Sequence, residues 1–214
     1  MAKKNEMNII PLFASPLMQI QLDLDTDKLT ELAFQMQNKD KKGVPDGINK
    51  GGWQSNNVVE EPYEELQKLK KEITQHLQVY HSEVFRGMKF KGNVTQSIDN
   101  MWVMINEKHH YVDWHIHHNA TLSGVYYIKH DGSAEGGDIL FKHPNSHYMR
   151  LAHWPDGIIE IPNEMTSEII DIVPKSNILL IFPSWLEHKV EANLKNDFRI
   201  SVSFNSIPIL EKKS

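Results

Sequence analysis

The sequence predicts a mainly β fold, a jelly-roll or double-stranded β-helix backed by N-terminal helices. Three observations predict it. Apolar residues recur at helical spacing early in the chain, they recur every second residue in short runs from about Asn93 onward, and Gly, Pro, Asn and Asp separate those runs. With 214 residues, 40% of them hydrophobic, the chain suffices for one domain. We read it as a single unit over 1–214, with a strand, two helices and a loop in 1–92 and the β-helix core in 93–208.

The elements follow in order. A short strand is expected around Leu17 to Leu22. Leu29, Leu32, Ala33 and Met36 then keep the i, i+3, i+4, i+7 spacing of an amphipathic helix, with Asp25 or Thr26 as its cap. The segment from Lys39 to Asn57, rich in Lys, Gly, Asn and Asp, reads as a long loop anchored by Trp53, and a loop of that length inside a compact chain points to function. Pro62 suits a first helical position, and Leu66, Leu69, Ile73, Leu77, Tyr80 and Val84 step by three or four until Gly87. After it come the strand candidates "SIDNMWVMI", "ATLSGVYYI", "GDILFK", "GIIEI", "EIIDIVP", "NILLIFP", "HKVEAN" and "FRISVSFN".

Composition removes several function classes. A formal net charge of -5 with scattered Lys and Arg argues against a nucleic-acid groove. No stretch approaches the ~20 apolar residues of a membrane span. Asn8 and Pro11 interrupt the apolar run near the start, which argues against a signal segment. A soluble cytoplasmic protein is the expectation. The count of zero cysteines excludes disulfides, thiolate ligands and cysteine nucleophiles, and leaves His, Asp and Glu as metal ligands.

Histidine is where chemistry concentrates. Side chains two apart on a strand share a face, so His115 and His117 can aim at one point. His188, just after the strand "NILLIF" and a Pro-containing turn, offers a third imidazole. His76, His81, His109, His110, His130, His143, His147 and His153 lack such a partner and read as polar surface residues, and His118 points away from His117. Three imidazoles alone do not distinguish iron from zinc. The stretch "DFRISVSFN" adds information, because Arg199, Ser201, Ser203 and Asn205 share one face while Ile200, Val202 and Phe204 fill the other. An inward guanidinium requires an anionic partner, and no acidic residue lies at a matching strand position. A bound carboxylate satisfies it through two parallel hydrogen bonds, with a serine hydroxyl assisting. A structural salt bridge or a snorkelling Arg are the alternatives.

His115-Ile-His117, "LSGVYYI", "FPSWLEH" ending in His188, and Arg199-Ile-Ser201, in this order, resemble the 2-oxoglutarate and Fe(II)-dependent oxygenases, particularly a bacterial and phage subfamily. "PLFASPLMQIQL" and "GGWQSN" extend the resemblance over nearly the whole chain. It implies a double-stranded β-helix in which His115, His117 and His188 hold Fe(II), with positions left for 2-oxoglutarate and dioxygen. It also implies that Arg199 binds the far carboxylate of that cosubstrate, helped by Ser201 or Ser203 and by Tyr127, the second tyrosine of the "YY" pair. Asn106 joins these as a polar contact, and Asn205 is a further candidate. The implied reaction converts 2-oxoglutarate to succinate and CO2 while hydroxylating a peptide or polar small molecule, with ascorbate as an assay reductant. The loop over 39–57 and the segment over 142–157 are the expected substrate walls. No oligomeric state is read, and a dimer is compatible with the chain.

One departure is chemical. Most of the superfamily carries Asp where this chain has His117, and a neutral imidazole there leaves the metal with one more net positive charge. Asp113 is in phase with His115 but precedes the pair, so it ranks below His117. Three competing readings remain: a cupin-type metalloenzyme, a three-His zinc enzyme, and a metal-binding module without turnover.

Overall fold

A computed structural model describes residues 13–45, 47–149, 159–160, 163 and 166–211. Most of the strand candidate "GIIEI", His153 and the 150–157 part of the expected substrate wall lie outside them. Helix α1 spans Thr26–Lys39, and Asp25 caps it by accepting the Lys28 N–H at 3.1 Å. Helix α2 spans Glu64–Val84. It starts two residues after Pro62 because Tyr63 is still extended, with φ -69 and ψ 126, and it ends three residues before Gly87. Its buried stripe of Leu66, Leu69, Ile73, Leu77 and Tyr80 is as the periodicity marked, while Val84, marked with them, lies exposed in the last turn.

The strands are β1 (Met18–Gln21), β2 (Asn49–Lys50), β3 (Trp53–Gln54), β4 (Val94–Asn106), β5 (Tyr111–His115), β6 (Leu122–Lys129), β7 (Ile139–Lys142), β8 (Ile169–Ile172), β9 (Ile178–Pro183), β10 (His188–Val190) and β11 (Arg199–Leu210). They form a six-stranded sheet in the order β1-β9-β6-β11-β4-β3 and a five-stranded sheet in the order β2-β5-β10-β7-β8. Every pairing is antiparallel. This is the double-stranded β-helix with helices on one face.

Alternation divides the core in two. Tyr126, Ile128, Leu179, Ile181, Ile200, Val202 and Phe204 point outward from the large sheet and pack against the helices. Val125, Tyr127, Leu180 and Phe182 point inward and meet Ile139 and Phe141 of the small sheet. Burying each large aliphatic side chain contributes about 1.5–3 kcal/mol. Gly124 permits the close approach of β6 to its neighbours, since a Cβ there would lie 2.3 Å from the Phe204 ring and 2.4 Å from the Leu180 carbonyl. Trp53 anchors the long loop as expected, 8% exposed and donating its indole N–H to the Asp40 carbonyl at 2.7 Å. Among the described residues no helix is long and apolar enough to cross a membrane.

Candidate metal centre

The three imidazoles converge through strand register. β10 pairs with β5 so that His188 lies opposite His115. His117 lies just beyond the end of β5 rather than on the strand, and its backbone N–H donates to the Ser184 carbonyl at 2.9 Å, which fixes the turn. The ring centroids of His115 and His188 are 4.2 Å apart, those of His115 and His117 5.0 Å, and those of His117 and His188 5.2 Å. One ligand atom from each lies within 4.8 Å of the others, a group that could hold a metal ion. Asp113 is outside this group, exposed, and accepts the Trp114 N–H at 2.8 Å.

A second partner sets the tautomer of two of the rings. Nδ1 of His115 sits 2.7 Å from the Asp113 carbonyl and Nδ1 of His188 sits 2.8 Å from the Leu186 carbonyl. A carbonyl only accepts, so each Nδ1 carries the proton and each Nε2 keeps its lone pair. Burial, followed by repulsion from His115, pushes the His117 imidazole down to about 4 and holds His188 well below the usual histidine range. Both are therefore neutral at pH 7, the form that binds metal.

The same cavity, of about 340 Å³, is lined by His115, His117 and His188 and by Tyr127, Arg199, Ser201 and Ser203. Arg199 is 3% exposed. Its Nη1 donates to the Glu191 carbonyl at 2.9 Å and approaches the Gly137 and Gly136 carbonyls at 3.4 and 3.5 Å. Its Nη2 is buried without a hydrogen-bond partner, and so is the hydroxyl of Tyr127. Burial lowers the guanidinium to about 10 and raises the phenol. Gly137 has φ +94, and a Cβ there would lie 2.0 Å from Nη1, so the turn before β7 reaches the guanidinium only as glycine. No acidic side chain among the described residues pairs with Arg199, which sets aside the structural salt bridge. The contrast with Tyr126 is direct, because that hydroxyl donates to Asn177 Oδ1 at 2.6 Å.

Asn106 lies opposite Arg199 and is 1% exposed, with its carboxamide donating to Asn49 Oδ1 at 3.1 Å. Asn205 accepts from the Ser123 hydroxyl at 2.7 Å and donates to Asn100 Oδ1 at 3.0 Å. Both line the cavity. From the long loop, Ile48 and Gln54 also line it. Lys142, His143, Pro144 and Ser146 line an adjoining groove that shares His115 and Ile116 with the cavity.

Several cavity residues went unmarked in the sequence. Asn100, Trp102 and Met104 share a face of β4 with Asn106, and their period-two spacing was the available signal. One expectation is corrected: His130 is not a surface residue but is 6% exposed. Ser201 pairs with Tyr127 while Ile200 pairs with Lys129, so β6 carries one extra residue there. That bulge turns Lys129 outward and His130 inward, edge-on to the Tyr127 ring at 5.9 Å.

Comparison with known proteins agrees with this geometry. Residues 100–205 match the family described as "Putative 2OG-Fe(II) oxygenase". No curated protein matches the sequence significantly. Among solved structures, a Pseudomonas putida prolyl-4-hydroxylase is similar with a TM-score of 0.57 at 15% identity, over 91% of this chain and 94% of that one. The non-heme α-ketoglutarate-dependent epimerase SnoN from nogalamycin biosynthesis gives a TM-score of 0.62 at 13% identity, over 90% and 78%. A prolyl hydroxylase from Trichoplax adhaerens gives 0.59 at 14%, over 89% and 83%. The match over 100–205 contains all three imidazoles and Arg199, and the solved structures share the fold of this chain.

Proposed function

We propose that this chain is an Fe(II)- and 2-oxoglutarate-dependent oxygenase that hydroxylates a peptide or polar small molecule. The observation that carries the reading is one cavity holding three converging imidazoles together with two buried, unpartnered donors, Arg199 Nη2 and the Tyr127 hydroxyl. An orphaned guanidinium edge beside an orphaned hydroxyl fits a carboxylate, and three imidazoles converging on one point fit a divalent first-row metal. His115, His117 and His188 would hold the iron. Bound there with the oxo acid, it supplies the oxidising chemistry that couples conversion of 2-oxoglutarate and dioxygen to succinate and CO2 with hydroxylation of a C–H bond.

The chain's own residues position and protect. Arg199 and Tyr127 bind the far carboxylate, with Ser201 and Ser203 on the same face as hydroxyl donors. The Asp113 and Leu186 carbonyls keep two imidazoles in the metal-binding tautomer. Val125, Ile139, Phe182 and Val190 line the cavity with apolar surface that keeps water from the carboxylate contact, where charge-assisted bonds are stronger for its absence. Asn106, already paired with Asn49, holds the wall opposite Arg199.

The test is succinate formation from 2-oxoglutarate with Fe(II), ascorbate and air. We expect turnover by the native protein and, for Arg199→Lys, a sharply raised 2-oxoglutarate requirement with iron retained, because a point charge does not reproduce the planar fork. Absence of succinate together with absence of 2-oxoglutarate binding to the metal-loaded protein overturns the reading.

A further inference from the structure

The cavity's charge inventory bears on the substrate. Apart from the imidazoles, Arg199 is its one charged lining residue, and no lysine, aspartate or glutamate faces it among the described residues. The proposed function commits Arg199 to the oxo acid, and the present inference rests on that reading. A substrate carboxylate or ammonium entering the cavity would then be buried without a partner, which is costly.

What the walls offer instead is carboxamide. Asn100, Asn106 and Asn205 are engaged with one another or with Asn49, Asp99 and Ser123. Gln54 differs. It lies on edge strand β3 opposite Met104, lines the cavity, and one end of its side-chain amide is buried with no partner. The unpaired atom is Oε1, which accepts, so it calls for a neutral donor, and a peptide amide N–H supplies one. Beside it, Trp102 presents a flat wall whose ring centroid is 5.9 Å from that of His117.

Volume restricts the entrant further. The cavity has a volume of about 340 Å³. A bound oxo acid shares that space, so a peptide reaches into it with one group while the larger part of the chain stays outside.

We propose that the cavity admits an uncharged, amide-bearing group of the kind found inside a peptide chain, paired with Gln54, and that it excludes free amino acids. Gln54 is thereby a specificity-determining residue.

The test uses full-length protein loaded anaerobically with Fe(II) and 2-oxoglutarate, so that binding is read without turnover. Calorimetry first establishes 2-oxoglutarate binding. Ligand-observed saturation-transfer NMR then compares free glutamine, asparagine and serine with acetylated, amidated tripeptides carrying the same residues centrally. The tripeptides are expected to bind and the free amino acids are not. Gln54→Leu, similar in size, should weaken tripeptide binding about tenfold while leaving 2-oxoglutarate affinity unchanged. Gln54→Glu should admit a tripeptide with a central lysine that the native protein excludes. Free amino acids binding as well as tripeptides, no tripeptide binding, or an unaltered affinity in Gln54→Leu overturns this inference alone. Failure of 2-oxoglutarate to bind in the first step overturns the oxygenase reading, and this inference with it.

Discussion

The two faces of the six-stranded sheet are built from the same strands and behave as opposites. Outward, Tyr126, Val202 and Phe204 meet the helices in a closed apolar layer, and the Tyr126 hydroxyl is satisfied by Asn177. Inward, one residue along the same strands, Tyr127 and Arg199 keep buried polar atoms without partners. Buried polar groups in folded proteins are almost always bonded, so the inner face is complete only with a ligand while the outer face is complete already. Substitutions on the two faces should therefore separate stability from binding.

The largest effect belongs to the outer face. Phe204→Ala, at a fully buried position against the helices, should destabilise the fold by about 3–5 kcal/mol. Ser203→Ala, its inward neighbour, should remain within about 0.5 kcal/mol. Denaturant midpoints for the pair check this, and equal losses would dissolve the distinction between the faces.

Acid should act through the inner face. The imidazole of His117 is held at about 4 against 6.5 in the unfolded chain, and that of His188 is lowered too, so the unfolded state binds more protons as pH falls. Stability of the metal-free protein is thus complete above about pH 6.5 and is lost as pH drops toward 4, with His117 alone accounting for roughly 3 kcal/mol. Melting temperatures between pH 7.5 and 4.5 test this. A flat profile would show that these rings are not desolvated in solution.

Next comes Arg199→Met. Removing the guanidinium should lower 2-oxoglutarate affinity on the order of a hundredfold. Stability of the ligand-free protein should stay within about 1 kcal/mol, because a buried charge without a counter-ion leaves along with its carbonyl contacts. Calorimetry and thermal melts read the two quantities separately.

The smallest effects form a matched pair. Tyr126→Phe should cost about 1 kcal/mol of stability by removing the donor to Asn177, with no change in 2-oxoglutarate binding. Tyr127→Phe should leave stability unchanged or slightly higher and weaken 2-oxoglutarate by up to about tenfold. Exchange of the two phenotypes would mean that Tyr127 is a core residue like its neighbour.

Much of this contrast was legible in the sequence because strand periodicity fixes which residues share a face. Arg199, Ser201, Ser203 and Asn205 could be separated from Ile200, Val202 and Phe204 by alternation alone, and the helical stripe of α2 by its spacing. His188 could be joined to His115 and His117 by its place after an apolar strand and a Pro-containing turn, but their adjacency is a matter of register between β5 and β10, which no local pattern specifies. Gln54 was hidden for the same reason: its loop was marked as a substrate wall, but the pairing of β3 with β4 decides which loop residue faces inward. His130 was misread as a polar surface residue because its inward turn depends on the bulge in β6, where one extra residue reverses the side chains beyond it and which no local pattern marks.

The central claim is that the orphaned donors of the inner face await a dicarboxylate oxo acid beside a three-imidazole metal site. The most direct test is anaerobic calorimetry of 2-oxoglutarate binding to the Fe(II)-loaded protein, native and Arg199→Met, with glutarate, which lacks the 2-oxo group, as a control. The account predicts saturable binding to the native protein at one site per chain, much weaker binding of glutarate, and loss of binding in Arg199→Met. Equal binding of 2-oxoglutarate to both proteins, or none to the native one, would contradict it.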